Sequence, residues 1–462
     1  MATQAQAQAL DLSDIQGDIL RAYGNAYERT SYLFATLPDP ERGRAWLGGI
    51  ADRVRNAEPW PDGVKPETAV NVALTHAGLR ALGLPQAHLD SFSKEFRDGM
   101  AGRAGLLGDQ GPSAPANWDE GLGGGRAHVL VTVNALTGAA AEQELATLRD
   151  GMGHAGVTVA HEQHAQLLPG AREHFGFSDG FAQPAVEGVN EDRAAGGGTP
   201  LKNGWRALAA GEFILGYEDE DSREDPQRRL PSAPMEPLGR NGTYMVWRKL
   251  EQDVSLFRST LRDAARRYDG GDEEMLAAKV VGRWRDGTPL VTSPHVPDPH
   301  FDAAAPGAND FRYAGVDEDG HRCPVGAHIR RSNPRDALGF EGRLSFRHRI
   351  IRRGMPYGPP LPEGAAENDG AERGLVFVCF NASISRQFEG VQVQWLNDGN
   401  IFGLGHDKDY LLGDGSTTAK MTVPGTPPYF LAPQPSFVTT RGGEYLFVPG
   451  KAALRAIASG IS

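Results

Sequence analysis

Four times along the chain a short run of β-branched and aromatic residues gives way to apolar positions spaced three and four apart. The first run is "SYLFATL" from Ser31. The helix after it opens at "DPERGRAW", where Asp39 can cap and Pro40 suits the first turn. "HVLVTVN" from His128 precedes a helix carrying Leu145, Leu148 and Met152. "TYMVWRK" from Thr243 precedes Val254, Phe257, Leu261 and Ala265. "LVFVCFN" from Leu375 precedes Ile384, Phe388, Val391 and Trp395 on one helical face. Further strands are expected at "VTVAHEQHAQLL" and "GEYLFVPG". Two strand–helix units in each half predict a duplicated α+β fold, with helices covering one face of each mainly antiparallel sheet. The Gly-rich segment Glu191 to Gly204 marks the break, giving halves over residues 1–195 and 205–462. Gly108 to Gly125 and Val291 to Asp310 lack periodicity and read as long surface excursions that shape access to a site.

Composition narrows the function classes. The 462 residues carry a net charge of −12, without the basic face that a general nucleic-acid binder needs. Cys323 and Cys379 are the only cysteines, too few for a structural zinc site or a disulfide framework, which points to a reducing, cytoplasmic setting. The N-terminal "MATQAQAQALDLSD" does not read as a secretory signal, and no stretch approaches the roughly 18 apolar residues of a membrane span. Asn241 and Asn381 match the glycosylation pattern, which without a signal is read as chance.

Candidate chemistry concentrates in three segments. "HFGFSDGFAQP", His174 to Pro184, sets one acid, Asp179, among Phe175, Phe177 and Phe181. An ionised carboxylate is costly to bury unless it is paired or used. "CPVGAHIRRSNPRD" places His328 after a Pro/Gly turn and before Arg330, Arg331 and Arg335. Clustered arginines seat carboxylates, and haem has two propionates and commonly one axial histidine. "RHRIIRRGMPYGPP" ends a strand at Arg352 and Arg353. One of them can point into a pocket and pair with Asp179, and spacing does not choose between them. "HEQH" puts His161 and His164 on opposite sides of a strand, as polar residues rather than metal ligands.

With "GFSDG", "CPVGAHIRRSNPRD", "IIRRGMPYGP", "FVTTRGGEYLFVPG" and the opening "DLSDIQGDIL", the chain resembles the dye-decolourising peroxidase family over nearly its whole length. It is most similar to the larger, so-called advanced members without an export signal. The resemblance implies duplicated ferredoxin-like domains of the dimeric α+β barrel type. The N-terminal half would carry the distal acid motif, and the C-terminal half one haem b. It further implies a peroxidase that uses hydrogen peroxide to form a ferryl intermediate and oxidises dyes, phenols and other aromatic reductants. Asp179 matches the distal acid/base, His328 the axial ligand and Arg352 the distal arginine. Leu375 and Phe377 match apolar distal positions, and Arg330 is a candidate cofactor contact. Glu389 is the candidate acid holding His328, with Asp398 second. Tyr357 and Trp395 are candidate surface radical sites for bulky dyes.

Three other readings compete with the enzyme. A haem-delivery protein would need His328 and the arginine seat but not the acid–arginine pair, and an interaction module would bind no haem. Related haem chemistry on another oxidant, such as chlorite, can share a fold.

Overall fold

The structure, a computed structural model, describes residues 9–21, 23, 27–224, 233–339, 342–365, 367–413 and 420–461. Nine of its strands make one sheet: β1 (Arg29–Thr36), β2 (Thr68–Leu74), β3 (Val129–Ala135), β4 (Thr158–Gln166), β5 (Thr243–Gln252), β6 (Ile351–Arg352), β7 (Met355–Tyr357), β8 (Gly374–Asn381) and β9 (Val438–Val448). The path runs β4–β1–β3–β2–β9–β5–β8–β6, with β7 also on β8, and its ladders are antiparallel. In β1–β4 the first strand lies between the third and the fourth. β5, flanked by β8 and β9, repeats that order, so the ferredoxin-like pattern occurs twice. The repeats meet at one pairing, Phe447 with Leu74. β4 and β7, near the two ends of the path, pack on each other and curl the sheet into a barrel.

Period-two alternation sorts the strand residues. Inward positions such as Tyr32, Phe34, Trp247, Val376, Val378 and Phe380 fill the barrel. Outward positions meet the helices. Pro40–Ala51 is capped by Asp39 on the Arg42 amide at 2.9 Å, and Gly138–Ala155 by Thr137. Val254–Ala265 is capped by Asp253 on the Leu256 amide at 2.9 Å. In this last helix Ala264, rather than Ala265, completes the buried stripe of Val254, Phe257 and Leu261.

The fourth expected helix departs from its prediction. Ile384, Phe388, Val391 and Trp395 are all buried, but Ser385–Glu389 and Val391–Leu396 are π-helical. A wider helix is a frequent accompaniment of a functional site, and this one forms a cavity wall. Asn241 and Asn381 are buried, and Cys323 and Cys379 are separate buried thiols. Among the described residues no helix is long and apolar enough to cross a membrane.

Candidate active site

Between β5, β8 and β9 on one side and the loops and helices of the second repeat on the other lies a cavity of about 800 Å³. Phe175, Phe177, Leu250, Leu375, Phe377, Phe388, Val391 and Leu411 give it apolar walls. Asp179, Arg352 and His328 all line it, although they come from three distant segments.

Asp179 is held by the local fold of its motif. Gly176 adopts φ +98, and a Cβ there would sit 2.7 Å from the Arg285 guanidinium, so the turn requires glycine. Phe175 and Phe177 anchor the turn against Phe257, at ring distances of 4.4 and 6.5 Å. Asp179 Oδ1 accepts from the Gly180 amide at 2.6 Å and from Arg352 at 2.8 Å. Arg352 also donates to the Ala182 carbonyl at 3.2 Å, and its amide donates to Gln183 at 3.0 Å. Burial pushes the Asp179 carboxyl up. The Arg352 charge, the Gly180 amide and the nearby His328 outweigh it and hold the group below its ordinary value. The side chain keeps 41% of its surface, which opens to the cavity.

His328 begins the five-residue helix His328–Ser332, just after the Pro324 turn. Its Nδ1 lies 2.9 Å from Asp409 Oδ2. An ionised carboxylate only accepts, so Nδ1 carries the proton and Nε2 keeps its lone pair. Asp409 is fully buried, and its other oxygen accepts from the Leu411 and Leu412 amides at 3.0 and 2.7 Å. Burial pulls the imidazole down, but the Asp409 charge and hydrogen bond win and raise it. Asp409 itself is held low, against burial, mainly by His328.

Several expectations are corrected. Glu389 does not hold His328. It is gripped by Arg103 at 2.5 and 2.7 Å and accepts from the Tyr445 hydroxyl at 3.0 Å. Nor does Asp398, whose side chain accepts from the Asn400 amide. Arg330 is no cavity residue: it is 2% exposed and bound to Asp317 and to the carbonyls of Cys323 and Glu318. Arg331 is spent on the carbonyls of Trp395 and Asp407. Tyr357 and Trp395 are not surface residues, being 3% and 1% exposed. Arg353 points away from the cavity, to the carbonyls of Asp18 and Ile19. The His161 ring packs on Phe34 and Trp247, while His164 meets Ser31.

The sequence reading also missed residues. Arg283 and Arg349 line the cavity along with Arg335. Glu173 joins them, its carboxylate accepting from the Phe175 and Phe177 amides and from Gln252. Asp109 and Arg248 form a buried ion pair at the wall, shared with Thr440. Glu173, Arg283, Asp109 and Arg248 sit outside any motif. The Pro/Gly-flanked arginines were the only available hint for Arg335 and Arg349.

A barrel of two fused ferredoxin-like units, with an acid–arginine pair and a carboxylate-backed histidine in one cavity, defines a peroxidase class. Two family models match the chain, "DyP dimeric alpha+beta barrel domain" over residues 14–167 and "Dyp-type peroxidase, C-terminal" over residues 213–402. The chain is 31% identical to dye-decolorizing peroxidase AauDyP1 of Auricularia auricula-judae, over 98% of this chain and 88% of that relative. It is also 31% identical to multifunctional dye peroxidase DyP2 of Amycolatopsis sp., over 96% of each. The crystal structure of a fungal DyP-type peroxidase from Auricularia auricula-judae is 28% identical. It matches with a TM-score of 0.83 over 98% of this chain and 100% of that one. The chain therefore belongs to the dye-decolourising peroxidase family and is a DyP-type peroxidase.

Membership implies a haem cofactor, and the cavity residues fit one. Arg349 is 9% exposed and lines the cavity, and its guanidinium has no carboxylate within salt-bridge distance among the described residues. Burial first, and then the like charges of Arg335 and Arg352, bring its pKa down to about 9. A buried cation without a counter-ion is costly, and a haem propionate would supply the missing charge. The Nε2 of His328, with Nδ1 bound to Asp409, would be available to hold the iron.

Proposed function

We propose that this chain binds one haem b through His328 and reduces hydrogen peroxide at the expense of dyes, phenols and other aromatic reductants, with Asp179 as acid/base. The observation that carries this reading is the convergence of the Asp409-backed imidazole and the Arg352-paired carboxylate on a single cavity. The family match supports the same chemistry, and one solved relative is a complex with 2,6-dimethoxyphenol.

Haem, when bound, supplies an iron centre at which the O–O bond of peroxide is cleaved. Asp179 Oδ1 is occupied by the Gly180 amide and Arg352, so Oδ2 is the oxygen free to take a peroxide proton and return it to the departing oxygen. Arg352 steadies the negative charge on that oxygen. Asp409 fixes the tautomer and ring plane of His328 and makes Nε2 more electron-donating. Phe377 and Leu375 exclude water around the acid. Arg349 and Arg335 would seat the propionates; of the cluster Arg330, Arg331 and Arg335 expected to do so, only Arg335 lines the cavity.

The division near residues 195–205 belongs to this proposal, with the first half contributing Asp179. So does a reducing, cytoplasmic setting, which the two separate buried thiols support. The test is peroxide-dependent oxidation of an anthraquinone dye by wild type and Asp179→Asn across acid to neutral pH. Loss of the base should cost roughly 10²- to 10⁴-fold. A fully active variant would move the proton role elsewhere.

A further inference from the structure

Glu389, having no part at His328, ends a buried chain of groups that starts at the cavity wall. Phe377 and Phe388 both line the cavity, with ring centroids 6.1 Å apart. Phe388 lies 6.1 Å from the ring of Tyr445, edge to face at 77°. Tyr445 is 1% exposed, and its hydroxyl donates to Glu389 Oε1 at 3.0 Å. Arg103 clamps both oxygens of Glu389 and reaches Asp98 at 3.3 Å on a more exposed helix.

Burial pushes the Tyr445 phenol well above its ordinary range, so it does not simply ionise at working pH. A phenol that loses an electron becomes a strong acid, and where its proton can go decides how easily it is oxidised. Tyr445 has a carboxylate at hydrogen-bond distance, itself paired with the Arg103 guanidinium, one ring beyond the wall of a cavity in which peroxide generates oxidant.

The geometry points to Tyr445 and Glu389 as an internal reductant site, a sink that protects the enzyme when peroxide arrives without an external reductant. Tyr445 gives one electron to the cofactor oxidised by peroxide. Its O–H bond breaks as an O–H bond forms on Glu389 Oε1, leaving a neutral tyrosyl radical beside a neutral carboxyl group. An electron from a later reductant returns, and the proton moves back. The inference rests on the peroxidase reading and adds to it a residue pair and a task distinct from dye oxidation.

The test mixes holoenzyme with hydrogen peroxide and no reductant, then freezes it rapidly for electron paramagnetic resonance. A parallel titration counts the peroxide equivalents needed to bleach the Soret band. Wild type should give a neutral tyrosyl signal that disappears in Tyr445→Phe and falls in Glu389→Gln. Tyr445→Phe should also bleach at fewer equivalents. Tyr445→Phe removes one oxygen from a packed ring and carries the test alone if Glu389→Gln does not fold. A signal of unchanged yield and shape in Tyr445→Phe, or equal bleaching, overturns the inference while leaving the peroxidase reading intact. No Soret change on mixing wild type with peroxide removes both.

Discussion

Replacing Arg352 by leucine should move the acid limb of peroxide reactivity towards neutral pH. Asp179 must be ionised to accept a proton, so activity is lost as pH falls through its pKa in the folded enzyme. In wild type that group is held below its ordinary value because Arg352, with the Gly180 amide and His328, outweighs burial. Arg352→Leu deletes a charge and a 2.8 Å hydrogen bond together and leaves burial the largest remaining influence. An opposite charge at this range lowers a carboxyl by about one to three units. Both side chains keep about a third or more of their surface, 32% and 41%, so water screens the attraction and the low end applies. The limb of kcat/KM for peroxide should therefore move towards neutral pH, with a roughly tenfold relative loss on its acid side. The plateau will also fall, by about 10²- to 10³-fold, since a donor to developing charge is gone. Position, not height, is the diagnostic. The assay is stopped-flow reaction with peroxide across pH, normalised to each protein's plateau. A limb that stays put or moves to lower pH would show that Arg352 does not set the ionisation of Asp179, and the electrostatic argument would fall.

Other consequences are more direct. Asp409→Asn keeps the shape but removes the charge behind His328. Spectroelectrochemistry should record a higher iron reduction potential, with about a 10- to 100-fold loss in haem affinity or activity. Arg349→Leu removes a buried cation that has no counter-ion among the described residues, so the apoprotein should be no less stable to heat while its haem titration shows weaker binding. The Tyr357 hydroxyl is buried without a hydrogen-bond partner among the described residues. Tyr357→Phe should thus keep bulky-dye turnover and raise the melting temperature or leave it unchanged, the opposite of the result expected for a surface radical site.

The elements legible in the sequence were those whose burial repeats at two or three to four residues. Leu145, Leu148 and Met152, or Val254, Phe257 and Leu261, announce a helix because each faces one apolar surface. The site was legible only where chemistry is odd for its surroundings: an acid among phenylalanines, or a histidine between a Pro/Gly turn and arginines. The partner of His328 left no such mark. Asp398, Asp407 and Asp409 sit in one aperiodic stretch, and selection among them depends on which side chain the loop turns inward. Asp407 turns to Lys420 and the Thr422 amide, and Asp409 to His328. The π-helix was invisible for a related reason. Its apolar residues fit an ordinary helix in spacing, and its widening comes with tertiary contact at Gly390, where a Cβ would press within 3.0 Å of His348.

The choice between Arg352 and Arg353, undecidable from spacing, follows from strand pairing. β6 is two residues long, and its register sets Arg352 opposite Cys379 and Ile351 opposite Phe380 on β8. Along β8, Leu375 and Phe377 line the cavity, whereas Val376, Val378 and Phe380 face the barrel interior. Arg352, level with the odd-numbered positions, must emerge into the cavity beside Asp179. Arg353 must emerge on the other face, where it donates to the carbonyls of Asp18 and Ile19 and, back across its own peptide, to the carbonyl of Arg352. One arginine thus serves the cavity while its neighbour ties the N-terminal segment to the strand that carries it. A one-residue slip of this short strand would exchange their faces. It would turn Arg352 away from the cavity and break its hydrogen bond to Asp179. The Arg353 clamp therefore helps to hold the register that keeps Arg352 against Asp179, from the far side of the sheet.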